Sequence, residues 1–436
     1  MNSYLRGPVS DQAQVSKTYF PGLNALRFFA AFAVLVTHVE FTKKVLFHGD
    51  VYWLKIDYWI QGNAWQSIFR EGPPAPIHWL SPFVTQGGYM GVIFFFVLSG
   101  FLITYLLLEE KRVSSTVAIG KFYIRRILRI WPLYYLVVIL GLFVLPHLSL
   151  FDVASQEIDL FKHFMVNVVC HIFMLPNLAF SLVMEGAPNI GQLWSIGVEE
   201  QFYLFWPVLL KFSRKPMRTI STFLICLLAV KIGIFITFEF IFPQPVLDPD
   251  LMISSPVETF KRFIGSLKFE AMALGGIGAC FIFYKKEMWL RLIYSGWTQV
   301  AAIVSIPCIV LFTPVSLYNG LYLLFSVPFL IIIMNVAANE NSLLRLRNKV
   351  FDFLGRISYG IYMYHLICIT FSFHVLDKML HFPEKLEGWQ TALLYVVSIP
   401  LTIGVAALSY YYFEKRFITK KRKYTTVISG DDARES

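Results

Sequence analysis

GGYMGVIFFFVLSGFLITYLLL, residues 87–108, runs for 22 positions without a charged side chain. At about 1.5 Å per residue, a helix of that length covers the roughly 30 Å hydrocarbon core of a bilayer. The run reads as a transmembrane helix over 88–108. Nine more apolar runs share its character: 23–41, 122–145, 193–212, 220–242, 260–284, 292–312, 317–336, 351–373 and 390–413. A helix satisfies its own backbone, which makes it the default spanning element. An eleventh run, 163–182, is interrupted by His163, Asn167, His171, Pro176 and Asn177.

Composition agrees. The 436 residues are 56% hydrophobic, 17% aromatic and 15% charged, whereas soluble domains carry about 25% charged residues. Disorder, collagen and a small disulfide scaffold are excluded. The net charge is +10, yet it lies in short clusters between apolar runs. That pattern belongs to cytoplasmic membrane loops, so no nucleic-acid partner is expected. Cys170, Cys226, Cys280, Cys308 and Cys368 all sit in apolar stretches without metal spacing. They read as packing residues, and no metal is expected. The first 22 residues are polar and mixed, with no small-residue cleavage site of a signal peptide.

Charge sets the expected topology. With ten crossings and an inside N-terminus, the later inside loops hold seventeen Lys and Arg, including Arg214, Arg218, Lys285, Arg291, Arg345 and Lys415. The matching outside loops hold Lys378 and Lys385. A crossing by 163–182 would invert that bias, so this segment reads as re-entrant or interfacial. The expectation is an all-α polytopic membrane protein with about ten transmembrane helices and both termini cytoplasmic. It divides into a cytoplasmic segment 1–20, a membrane domain 21–413 and a basic cytoplasmic tail 414–436 that becomes polar and disordered.

Ionisable residues inside spans are expensive and mark functional candidates. Arg27 and His38 lie eleven residues apart in the first span. Three helical turns put them on one face, roughly 16 Å apart along the axis. Taken singly, Arg27 reads as snorkelling to headgroups and His38 as a packed histidine. In the second span Ser99 bonds back to the backbone or points inward, and the glycines suit close helix packing. The third opens FYIRRILRIWPLYY, residues 122–135, with Arg125, Arg126 and Arg129 beside Lys111, Arg112 and Lys121. Such a cluster suits a phosphate-bearing ligand, or lipid phosphates. LWSIGVEEQFYLFWP, residues 193–207, carries Glu199 and Glu200 near a helix start. The helix dipole favours them there; alternatively one carboxylate reaches inward to orient a histidine or hydroxyl. GRISYGIYMYH, residues 355–365, places Ser358, Tyr362 and His365 on one stripe.

These five blocks, in this order, resemble the acyltransferase 3 family, the integral-membrane acyltransferases of the bacterial O-antigen O-acetylase type. The resemblance extends over residues 21 to 413. It implies about ten transmembrane helices with both termini inside. It also implies a cytoplasmic acyl-CoA donor, commonly acetyl-CoA, and a hydroxyl acceptor on a glycan, lipid-linked sugar or small secreted molecule. His38 matches the family's catalytic histidine, Arg27 its partner arginine, and Glu199 the acidic residue of the WSxxxEE block. Arg125, Arg126 and Arg129 match the donor-handling basic block, and Ser99 and the closing histidine His365 are grouped with them. Some members add an extracytoplasmic esterase-like domain, for which this chain ends too soon after Phe413.

A neutral histidine can deprotonate a sugar hydroxyl or accept the acyl group itself. The expected function is a membrane-embedded O-acyltransferase of the cytoplasmic membrane. The competing reading is a proton-coupled secondary transporter using Arg27, His38 and Glu199. Tyr52, Trp53, Tyr58, Trp59, Trp65 and Trp79 crowd the first outside loop, where they form an interfacial belt or stack on sugars.

Overall fold

The computed structural model describes residues 16–48, 81–151, 160–183, 187, 189–240, 256–312, 322–383, 386, 388–425 and 427–429. The aromatic loop residues Tyr52 to Trp79 lie outside the described residues. The longer helices are α1 (Leu23–His48), α2 (Ser81–Ser114), α3 (Ile119–Ile139), α6 (Trp194–Phe212), α7 (Pro216–Phe240), α9 (Phe269–Phe283), α11 (Gly296–Phe312), α12 (Leu323–Ala338), α14 (Ser358–Leu380) and α15 (Gly388–Ser409). Shorter ones are α4 (Leu160–Ile172), α5 (Pro176–Leu182), α8 (Pro256–Ser266), α10 (Glu287–Tyr294), α13 (Lys349–Arg356) and α16 (Lys415–Lys421).

Seven of the described helical segments are long and apolar enough to cross a membrane: Leu23–Thr42, Gln86–Ser114, Ile119–His147, Pro216–Phe238, Thr259–Phe283, Ser358–Leu380 and Gly388–Tyr424. The pair α10 and α11, bent by 60°, makes an eighth if it crosses as one broken span. The chain is thus a multi-pass, all-helical membrane protein, and two of the ten expected spans stand apart from this group. In α6 the acids Glu199 and Glu200, with Lys211, leave no stretch of span length with fewer than three charges. In α12 the described helix has only 16 residues. Segment 163–182 breaks at Phe173–Leu175 into helices of 13 and 7 residues. Each is shorter than the roughly 20 residues a crossing needs.

The centre of the bundle is α2, which packs against α9 on one side and α1 on the other. Glycine makes both contacts close. A Cβ at Gly100 would overlap the Met272 carbonyl, and one at Gly275 the Val97 carbonyl. Between helices in lipid, where both surroundings are apolar, such backbone approach supplies the packing energy. Toward α1, the Thr37 hydroxyl donates to the Val84 carbonyl at 2.5 Å and accepts from the Gly88 N–H at 2.7 Å. Helix α1 divides two apolar cores. Ala30 and Val34 belong to the main cluster with α2. Phe28, Ala31, Leu35 and Val39 join Ile361, Ile369 and Phe373 of α14 and Ala406 of α15. The periphery is apolar: on α7, Ile225, Val230, Ile232, Phe235 and Ile236 are all exposed. That surface suits lipid.

Residues 414–424 and 427–429 of the basic tail, expected to be polar and loose, form regular elements. A wide turn at Tyr410–Glu414 carries α15 into α16, and a short helical turn follows at Arg422–Tyr424. Then β2 (Val427–Ser429) pairs in parallel with β1 (Ser16–Thr18), Ser16 opposite Val427. Phe413 and Phe417 meet edge to face with centroids 5.3 Å apart, so aromatic contacts continue past the last apolar run. The strand pair brings segments from both ends of the chain to one end of the bundle.

Gly100→Val is expected to lower stability by about 1–3 kcal/mol or more, since α2 and α9 must separate. Gly120→Ala, where no atom lies within 4 Å of the added carbon, is expected to be neutral apart from a small helix-propensity gain. Thermal denaturation in detergent, followed by size-exclusion chromatography, reads both.

Candidate active site

Two histidines meet between α1 and α14. The rings of His38 and His365 lie 4.7 Å apart, centroid to centroid, inclined by 61°. His38 Nδ1 lies 2.8 Å from the Val34 carbonyl, one turn back on α1. His365 Nδ1 lies 2.6 Å from the Tyr362 carbonyl. A carbonyl only accepts, so Nδ1 is the protonated nitrogen of each neutral ring and Nε2 presents a lone pair. His38 is half-buried and His365 fully buried. No hydrogen-bond donor reaches His365 Nε2 among the described residues.

From this pair a polar seam descends along α6. Tyr362 donates to the Gln192 carbonyl at 3.0 Å, and the Ser195 hydroxyl lies 2.7 Å from the Tyr362 oxygen. One turn on, Glu199 accepts from Ser99 of α2 at 2.7 Å and from Tyr203 at 3.3 Å. The carboxylate is thus held on both oxygens in a region with little water. Glu200 accepts from the Trp131 indole at 3.0 Å, and its other oxygen has no partner among the described residues. Below Tyr203 the guanidinium of Arg126 lies 5.9 Å from the Tyr203 ring and 5.8 Å from that of Phe122. Its Nε is buried and has no hydrogen-bond partner among the described residues.

The seam ends in a shallow, open pocket whose wall includes Glu110, Phe122, Arg125, Arg126, Lys421 and Thr425. Arg125 pairs with Glu110 at 2.8 Å and donates to the Tyr424 carbonyl at 2.9 Å. Glu110 also accepts the Ala118 N–H at 3.0 Å, which fixes the turn before α3. The chain's C-terminal segment therefore closes one side of the arginine pocket.

Of the residues singled out in the sequence, His38 stands with His365, and Ser99 with Glu199. Arg125 and Arg126 share the pocket. Arg129, although four residues from Arg125, points instead toward Glu414 and Tyr359 and acts on them electrostatically. Arg27 donates to Asn24 Oδ1 at 2.9 Å near the N-terminal end of α1, roughly 16 Å from His38 along the helix. It is not in the histidine cluster. Sequence reasoning passed over Ser195, Tyr203, Gln192, Glu110 and Lys421. Ser195, Glu199 and Tyr203 are spaced i, i+4, i+8, a polar stripe that helical periodicity could have revealed. Lys421 and Glu110 are joined only by the tertiary fold.

Residues 20–411 match the family of membrane acyltransferase domains of the acyltransferase 3 type. The chain is 26% identical over 434 residues to the O-acetyltransferase OatA of Staphylococcus aureus (strain NCTC 8325 / PS 47), covering 92% of this chain and 57% of that protein. It is 28% identical over 350 residues to a putative O-acetyltransferase of Staphylococcus aureus (strain COL), covering 76% of this chain and 53% of that protein. The chain thus spans little more than half the length of these relatives. No solved structure matches it. With a family match across nine-tenths of its length, and the residues of that match lining one continuous seam, the chain belongs to the acyltransferase 3 family and carries its acyltransferase domain.

Proposed function

We propose that the protein moves an acyl group, acetyl in the first instance, from cytoplasmic acyl-CoA to a hydroxyl of an extracytoplasmic glycan or other acceptor. The observation that carries this reading is the unbroken polar seam from the arginine pocket to the His38–His365 pair. Its two ends have the chemistry that the two halves of such a reaction need. The phosphates of CoA are strongly hydrated and bind guanidinium forks. Arg125 and Arg126, with Lys421 beside them, offer cations at the mouth. The uncharged pantetheine arm then lies along Tyr203, Glu199 and Ser99, and the thioester reaches the histidines.

At the thioester the steps balance as follows. The acceptor oxygen bonds to the carbonyl carbon as its proton passes to His38 Nε2. The C–S bond then breaks, and the CoA thiolate takes the proton back. His38 Nδ1–H, held on the Val34 carbonyl, keeps Nε2 as the basic nitrogen throughout. In a covalent variant Nε2 bonds to the carbonyl carbon as the C–S bond breaks and CoA departs as thiolate; the acceptor oxygen then takes the acyl group as the N–C bond breaks, and its proton goes to the thiolate. Glu199 anchors Ser99 and Tyr203 along the arm's route, and Arg27 supports the inner end of α1. The OatA relatives are named O-acetyltransferases, which favours oxygen as the acceptor atom.

Ten crossings in a cytoplasmic membrane, with both termini inside, complete the proposal. The pairing of β1 with β2 favours an even number of crossings, and the positive charge of the later loops favours inside termini. In this arrangement α6 and α12 also cross, with exposed apolar residues such as Leu204, Phe212 and Val327 turned to lipid.

Four outcomes are expected. His38→Ala abolishes CoA release from acetyl-CoA while keeping a monodisperse size-exclusion profile; a general base is worth about 10²–10⁴ in rate. Arg125→Ala combined with Arg126→Ala weakens acetyl-CoA binding, each lost charge-assisted contact costing about 1.5–3 kcal/mol, or roughly tenfold or more. Arg129→Ala, facing Glu414, leaves that affinity within about threefold, because it adds no ligand to the pocket. Isothermal titration with acetyl-CoA separates these last two. A cysteine placed at Lys420 is expected to label only from the cytoplasmic side of sealed vesicles.

A further inference from the structure

One buried atom in the site lacks the partner its chemistry requires. His365 Nε2 is inaccessible and accepts no hydrogen bond among the described residues. Leaving such a buried acceptor unmet is destabilising. The polar groups around it are already engaged: the Tyr362 hydroxyl donates to Gln192, and the Ser195 hydroxyl lies against Tyr362. The neighbouring ring is His38, whose Nδ1 proton is committed to Val34. The neutral pair therefore has two basic Nε2 atoms and no proton to place between them.

The separation of the rings suits such a proton. Two imidazoles joined by an N–H···N bond of about 2.9 Å have centroids about 5 Å apart. The observed distance is 4.7 Å. Flanking rings hold the two histidines at this spacing. Phe41 lies edge-on to His38 at 5.9 Å, and Tyr362 lies 5.7 Å from His365. The apolar cluster of Leu35, Val39, Ile361 and Ile369 fixes α1 against α14.

We propose that His38 and His365 work as a two-histidine base that shares one proton, with His365 the positioning residue that holds it between acceptor and thiolate. This rests on the acyl-transfer reading above. As the acceptor oxygen bonds to the thioester carbon, its proton moves to His38 Nε2. That new N–H donates to His365 Nε2, which meets the unpaired acceptor and spreads the positive charge over two rings. When the C–S bond breaks, the same proton passes from His38 to the sulfur. Both histidines return to their neutral Nδ1–H forms, and no other proton source is needed. His365 never touches the acceptor, consistent with its complete burial.

The test uses the full-length protein in detergent, with acetyl-CoA as donor and chitotriose as hydroxyl acceptor. His365→Asn is expected to lower kcat at least about tenfold, short of the ~10²–10⁴ loss from removing a general base directly. KM for acetyl-CoA should be unchanged. In mixed H2O and D2O, kcat of the wild-type protein should give a bowed proton inventory, since two hydrogenic bonds change together. The inventory of His365→Asn should be linear. A wild-type kcat in His365→Asn, or a linear wild-type inventory, overturns the proposal; the second result stands even if the variant fails to fold. Absence of any wild-type turnover is the distinct failure of the acyl-transfer reading. In that event ¹⁵N solid-state NMR of the histidine-labelled resting protein still decides. Lone-pair Nε2 signals from both His38 and His365 support the pair, and an Nε2–H signal at His365 in the neutral protein excludes it.

Discussion

Backbone contact between α2 and its two neighbours underlies the rest of this structure. Helices in lipid gain little from burying apolar surface against one another, because the tails are equally apolar. They gain from close packing and from polar bonds that have no water to replace them. Helix α2 uses both. Its glycine at position 100 seats against Met272 of α9, and the adjacent Ser99 turns to α6 and bonds to Glu199. At the other end of α2, Gly88 and Val84 grip Thr37. That contact is one residue from His38, so it sets the rotation of α1 that directs the histidine toward α14. Moving α2 outward would disturb the carboxylate and the histidine together.

The distribution of unsatisfied atoms follows the proposed path of the substrate. Buried polar groups are almost always paired, and exceptions merit an explanation. Here Arg126 Nε, Glu200 Oε1, Gln192 Oε1 and His365 Nε2 lack partners among the described residues. All four lie on or beside the seam that links pocket and histidines. Other buried polar groups are fully engaged: Asn335 donates to two carbonyls at 2.8 and 3.0 Å, and Trp206 donates to Thr104 at 2.9 Å. Unmet polar atoms along the seam are what a route for a polar, transient ligand would use.

Much of this was legible in the sequence, and the remainder failed for identifiable reasons. Hydropathy located the helices because the bilayer demands long apolar runs, and the ordered motifs identified the family. Where charges fell within a span, the reading weakened. Helix α6 holds Glu199, Glu200 and Lys211, since its polar face meets the protein interior and not lipid. Spacing placed Arg125 and Arg129 on one face, but helical phase does not choose partners. Glu110 takes Arg125, and Arg129 turns toward Glu414. The pairing of His38 with His365 could not be read locally at all, since it depends on how α1 crosses α14. The tail looked polar and loose because its order comes from distant contacts: Arg125 with Tyr424, and β2 with β1.

Electrostatics explains why recognition and reaction occupy opposite ends of the seam. Moving a phosphate into a low-dielectric interior costs far more than a few contacts return. A donor bearing phosphates must therefore stop at the interface, where Arg125 and Arg126 stand half-buried. Arg125 is paired there with Glu110, and Arg126 beside it keeps an Nε without a hydrogen-bond partner among the described residues. Beyond that point the residues offer hydroxyls, an indole and carboxylates held by neutral donors, none of which demands a charged ligand. Only an uncharged arm can follow such a route. In the proposed reaction the neutral histidine pair at its end would take up a proton only briefly, because the departing thiolate would remove it again.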